Sequence, residues 1–144
     1  MTTVTKITDL RDLDAAFTIR EEVFVQGQNV PADEECDQHD RAATTRHYLA
    51  RVDGQPAGAA RWRPTDHGVK LERFAVLPTF RNHGVGTALV HQVLADVQAE
   101  APGAAQVYLH AQLPAISLYE RTGFQKVGEM FAECDIQHYK MVLG

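Results

Sequence analysis

Residues 69–97 constrain the fold more than any other stretch. Val69 to Val76 reads as a strand, and Pro78 ends its ladder because proline has no N–H to donate. Gly84 and Gly86 then open a helix in which Val85, Leu89, Val93 and Val97 line one side. That apolar side needs a sheet to lie against, so a covered sheet is the first expectation.

The flanking sequence supplies the remaining elements. Thr3 to Ile7 alternates as a strand, and Thr8 or Asp9 can cap a helix whose Leu10, Leu13, Phe17 and Phe24 recur at roughly helical spacing. Gly27 and Pro31 break it, and Asp33, Glu34, Glu35, Asp37 and Asp40 then crowd around Cys36 in an acidic loop. His47–Val52 and Ala57–Arg63 flank Asp53-Gly54, the signature of a hairpin. Beyond Pro102-Gly103, Gln106–His110 reads as a strand, and Pro114 sits in the first turn of a helix that reaches Arg121 and stops at Gly123. Phe124–Phe131 and Ile136–Leu143 are the last two strands. The order β-α-β-β-β-α-β-α-β-β predicts an α/β (α+β) mixed sheet covered by helices. The length, 144 residues, suits one domain over 1–144.

Composition excludes several classes. No apolar run approaches the ~20 residues of a membrane helix, and no secretory start is present. Two cysteines are too few for a disulfide framework, so a cytoplasmic location is expected, and their spacing suggests no metal site. A net charge of −5 without a block of Lys and Arg makes nucleic acid a poor partner and suits a cationic one better.

The turn Arg81-Asn82-His83-Gly84-Val85-Gly86-Thr87 lets backbone approach a ligand, and free helix N–H groups attract an anion. Two glycines alone fit a plain structural turn equally well. A Rossmann turn needs a third Gly or Ala where Leu89 stands, and a P-loop needs Lys-Ser/Thr where Thr87-Ala88 follow Gly86.

The segment from Leu71 to Leu89 resembles the pyrophosphate loop of GNAT acetyltransferases, and Ala115–Phe124 looks like that superfamily's second motif. Ile19–Val25, Asp33–Asp37, His110–Gln112 and Glu133–His138 resemble its ElaA-like branch of acyltransferases. The resemblance implies a GNAT-like fold with two splayed parallel strands, acetyl-CoA as cosubstrate, and transfer to a primary amine, such as an amino sugar or polyamine-like compound, by direct attack. A non-catalytic acyl-CoA-binding regulatory module is the alternative.

By the same resemblance, Phe74, Ala75 and Val76 bind pantetheine and polarise the thioester, and Arg81 to Thr87 bind pyrophosphate. Gln112 stands where many members have Asn. Tyr119 matches the tyrosine that protonates the departing thiolate; a core tyrosine is the plainer reading. Glu72 is the first candidate for general base, on the ground that it shares strand parity with Phe74 and Val76. A charge paired with Arg73 or Arg61 is its structural alternative. His110, Glu35 and Asp37 are assigned to the acceptor: His110 as a proton carrier, with a satisfied structural histidine as the simpler account, and the two acids as a filter for a cationic amine, with a solvated loop as the simpler account. A homodimer through Phe124–Leu143 is a further expectation.

Overall fold

Asp53 and Gly54, at φ 50° and 85°, turn the chain between β2 (Arg46–Val52) and β3 (Gln55–Thr65), as an Asp-Gly pair between strands favours. The computed structural model describes all 144 residues. The other strands are β1 (Thr2–Lys6), β4 (Gly68–Val76), β5 (Val107–Gln112), β6 (Phe124–Glu133) and β7 (Ile136–Leu143). The helices are α1 (Leu10–Arg20), α2 (Ala32–Glu35), α3 (Val85–Glu100) and α4 (Ile116–Arg121). One seven-stranded sheet runs β1-β2-β3-β4-β5-β7-β6, the mixed sheet expected from the alternation of elements.

Helix α3 lies where its apolar side predicts. Val85, Leu89, Val90, Val93 and Val97 pack with Tyr48, Trp62, Leu71 and Leu109 on one face of the sheet. Helix α1 covers the other face, and of the stripe read from the sequence Phe24, just beyond its end, packs against that core. Leu10 is 71% exposed, whereas Ala16, Ile19 and Val23 pack on Leu49, Ala59 and Ala75. Ala16 is small enough to let the helix approach the sheet, and Asp9 caps its start by accepting from the N–H of Asp12 at 2.8 Å. Residues Glu21–Gln26 continue α1 as a π-helical turn. No helix is long and apolar enough to cross a membrane.

Two irregularities shape the middle of the sheet. Strands β4 and β5 are parallel neighbours only from Val69↔Val107 to Leu71↔Leu109. Beyond Leu71 and Leu109 they separate, so Glu72–Val76 has no strand partner on that side. On its other side β4 bulges against β3: Ala59 pairs with Ala75 and Arg61 with Glu72, leaving Ala60 opposite both Arg73 and Phe74. Arg73 occupies the left-handed region at φ 59°, the extra residue of the bulge.

That extra residue inverts the alternation downstream. Leu71, Phe74 and Val76 share the α3 face, while Ala75 packs on the α1 face. Glu72 sits on the α1 side among Arg61, Arg63 and Lys70. The expectation that Glu72 shares a face with Phe74 and Val76 is therefore corrected: a bulge shifts a period-two pattern by one.

Candidate active site

The separation of β4 and β5 opens a cleft of about 680 Å³. Phe74, Ala75 and Val76 line it from β4, His110 and Gln112 from β5, and Tyr119 from α4. Val23, Phe24 and Gln28, on and just after the π-helical turn, line it as well.

At one end lies the glycine turn. Asn82 at φ 65° and Gly84 at φ 81° bend the chain into α3. No side chain caps that helix and no acid sits in its first turn, and Ala88 N–H to Gly84 C=O, at 3.0 Å, is its first helical bond. The N–H groups of Val85, Gly86 and Thr87 thus have no partner within the helix, a setting that favours an anion. A side chain at Gly86 would meet Leu118 Cδ2 at 3.2 Å, so its absence lets α4 come close. Asn82 and His83 are exposed and Val85 is buried in the core, so Val85 offers only its backbone. Arg81 folds into the cleft, where its Nε donates to the Val76 carbonyl at 3.0 Å.

Tyr119 is buried between two aromatic rings, edge-on to Phe74 at 6.0 Å and to Phe124 at 5.9 Å. Its hydroxyl makes no hydrogen bond within the protein, and burial raises its pKa, so it stays protonated. A phenol held in this way can give a proton to a thiolate in the cleft.

The residues assigned to the acceptor separate into two groups. Glu35 is 6% exposed, and its carboxylate accepts from Arg20 Nε at 2.8 Å. Asp37 accepts from Arg61 Nη1 and Nη2, both at 2.9 Å, and from Arg73 Nη2 at 3.2 Å. Burial acts to raise the Asp37 pKa, but Arg61 and Arg73 hold it below the usual carboxylate range. Asp40, buried between Arg20 and Arg61, is held lower still. Glu35 and Asp37 line the cleft, but their carboxylates are engaged by Arg20, Arg61 and Arg73, an arrangement that favours a structural network over a filter for a cationic amine.

Glu72 belongs to the same network. Its carboxylate takes Arg63 Nε at 2.7 Å, Arg61 Nη2 at 2.9 Å and Lys70 Nζ at 3.3 Å. Burial would raise its pKa, yet the hydrogen bond from Arg63 and the charges of Arg61 and Lys70 hold it at about 2. A carboxylate so stabilised is a poor proton acceptor, which removes the ground for Glu72 as general base.

His110 differs. Its Nδ1 meets the Glu133 carboxylate across the strands β5, β7 and β6. The hydrogen bond from His110 lowers the Glu133 pKa, so the carboxylate is ionised and can only accept. Nδ1 is therefore the donor in this contact, which leaves Nε2 for other partners. Phe131 stands edge-on to the imidazole at 5.0 Å and fixes its plane. Glu133 escaped the sequence reading because it lies 23 residues from His110 and only strand pairing brings them together.

Gln112 is tied across the cleft by a reciprocal amide pair with Gln28, at 3.1 and 2.8 Å. Nearby, the thiol of Cys134 donates to Glu34 at 2.8 Å, which pushes the thiol pKa up to about 11. No group of three or more His, Cys, Asp or Glu side chains is arranged to hold a metal.

Comparison with known proteins agrees with this geometry. The family model for the acetyltransferase (GNAT) domain matches residues 14–144. An uncharacterized N-acetyltransferase of Bacillus subtilis, YjcF, is 39% identical over 132 residues, covering 90% of this chain and 91% of its own. Among solved structures, an acyl-CoA N-acyltransferase from Pseudomonas aeruginosa superposes with a TM-score of 0.85 at 30% identity, covering 100% of this chain and 99% of the other. Escherichia coli ElaA gives 0.86 at 27% identity, with the same coverage of both chains.

Proposed function

The chain belongs to the GNAT acetyltransferase family, in its ElaA-like branch, and on that footing we propose that it moves an acetyl group from acetyl-CoA to a primary amine on a small molecule. The observation that supports this reading is the cleft between β4 and β5, with the uncapped start of α3 beside Val76 at one end and the hydroxyl of Tyr119, unpartnered within the protein, in its wall.

The residues fit coenzyme A. The unpaired edge Glu72–Val76 can extend its ladder along a pantetheine arm, and the first N–H groups of α3 suit a pyrophosphate. The bound thioester supplies the activated acyl group. Arg81 releases the Val76 carbonyl when an extended ligand pairs there, and its guanidinium then serves the phosphates. A β4 backbone N–H near Phe74 or Ala75, aimed at the thioester oxygen, would stabilise the charge that develops on attack.

His110, rather than Glu72, takes the proton from the acceptor ammonium through Nε2, and Glu133 steadies the imidazolium that forms. Tyr119 gives its proton to the departing thiolate and recovers one from solvent. Both reactants sit in one cleft, so positioning supplies a large share of the rate.

Release of free thiol from acetyl-CoA across a panel of amines tests the proposal. Acceptor-dependent release is expected. Binding of acetyl-CoA with no release stimulated by any amine would identify a non-catalytic acyl-CoA-binding module instead.

A further inference from the structure

On the α1 face of the sheet beside His110, two cleft-lining cations, Arg63 and Lys70, share a single carboxylate, Glu72. Glu72 is shared by Arg61, Arg63 and Lys70, and Arg61 divides the rest of its fork between Asp37 and Asp40. Arg63 and Lys70 have no other ion pair, and both line the cleft. Their side chains are each 18% exposed, enough for a ligand to touch and too little for water to screen them fully. Glu133 feels the charge of Lys70 but accepts its hydrogen bond from His110.

A third cation joins them. The ammonium of Lys140 lies 5.1 Å from the centre of the Tyr108 ring, and Tyr108 is the register partner of Lys70. Arg63 and Lys70 thus divide one carboxylate on the cleft wall, with Lys140 behind them over Tyr108. In a half-dry cleft that arrangement favours a further anion.

Lys70 pairs with Tyr108, two positions before His110 on the same strand, a span of about 6.6 Å. A small molecule can reach both places. Resting on the amine-acetylation reading above, we infer that the acceptor carries an oxyanion, carboxylate or phosphate, which Arg63 and Lys70 bind while its amine is presented at His110. This reverses the preference for a cationic acceptor that net charge alone suggests. The chain carries −5 overall, but the charge that an acceptor meets is set by the groups nearest its amine.

The test is thiol release with ω-amino acids, ω-aminoalkyl phosphates, amino alcohols and diamines of matched chain length. An anionic amine is expected to exceed the amino alcohol by about tenfold or more in kcat/KM, through a lower KM. The carboxylate and phosphate arms identify which oxyanion is meant. Lys70→Gln, at a part-exposed position, is expected to collapse that preference, and Lys70→Glu to turn it toward the diamine. Arg63→Gln provides a second variant should Lys70 substitutions impair folding. Equal use of neutral and anionic amines, or preference for diamines in the unaltered enzyme, overturns the inference alone. Failure of every amine to stimulate release overturns the amine-acetylation reading along with it.

Discussion

The ring of Tyr119 stands at 90° to that of Phe74, centroids 6.0 Å apart, so a cleft residue of β4 and the proposed acid of α4 hold each other's orientation. The hydroxyl itself has no partner in the protein and faces the cleft, so its removal breaks no internal hydrogen bond. Tyr119→Phe is therefore expected to leave stability within about 1 kcal/mol, while lowering kcat on the order of 10²-fold with little change in KM for acetyl-CoA. Chemical denaturation and steady-state kinetics on the same preparation separate the two. Unchanged turnover across pH would return Tyr119 to a packing role.

The His110–Glu133 pair predicts a loss of positioning. Glu133 accepts from Nδ1 and holds the ring in one orientation. In Glu133→Gln kcat should fall because the ring loses its charged orienting acceptor, with little change in KM for acetyl-CoA. His110→Gln should lose roughly 10²-fold at neutral pH and recover part of it at high pH, where free amine is plentiful. Steady-state kinetics in which neither variant changes kcat would leave the pair a structural contact.

Glu72 predicts loss of stability rather than of a base. Its folded pKa of about 2 lies below the ordinary 4.5, so its stabilisation is present above pH 4.5 and is lost as pH falls through 2. The shift corresponds to about 3 kcal/mol. Asp37 and Asp40, lowered by the same arginines, act in the same direction. Glu72→Gln leaves three cations around a neutral amide and should cost about 3–5 kcal/mol at pH 7, with a flatter loss of stability in acid than the parent chain shows. Urea titrations at pH 7 and in acid measure both effects. Any residual activity should fall by the same factor at every pH, the mark of positioning.

Local signals and long-range pairings divide what the sequence made legible. The hairpin at Asp53-Gly54, the helix from Val85 and the stop at Gly123 each rest on a residue whose backbone preference acts on the spot. The bulge at Arg73 has no such signal, since nothing near it marks a non-glycine residue at φ 59°. Without it the parity of Glu72 comes out inverted. Arg20 gives another case. Inside a helix it reads as a surface charge until Glu35 and Asp40, 15 and 20 residues on, fold over it. Those same acids look solvated or substrate-facing in the sequence because their partners lie on α1 and β3.

The glycine turn separates two parts of cosubstrate recognition. Gly84 has φ 81° with open space where a Cβ would stand, so Gly84→Ala meets no clash and carries only the left-handed penalty of about 1 kcal/mol. Relief of that penalty by a shift of φ out of the left-handed region would re-aim the first turn of α3 and raise KM for acetyl-CoA, because the N–H groups of Val85, Gly86 and Thr87 no longer converge. Arg81→Ala removes a cation from the same end of the cleft and frees the Val76 carbonyl. Its KM for acetyl-CoA should rise about tenfold, the loss of one charge-assisted contact. Acetyl-pantetheine, which lacks the pyrophosphate, should show no comparable penalty in either variant. A penalty of equal size for both donors would mean that the turn shapes the cleft rather than gripping an anion.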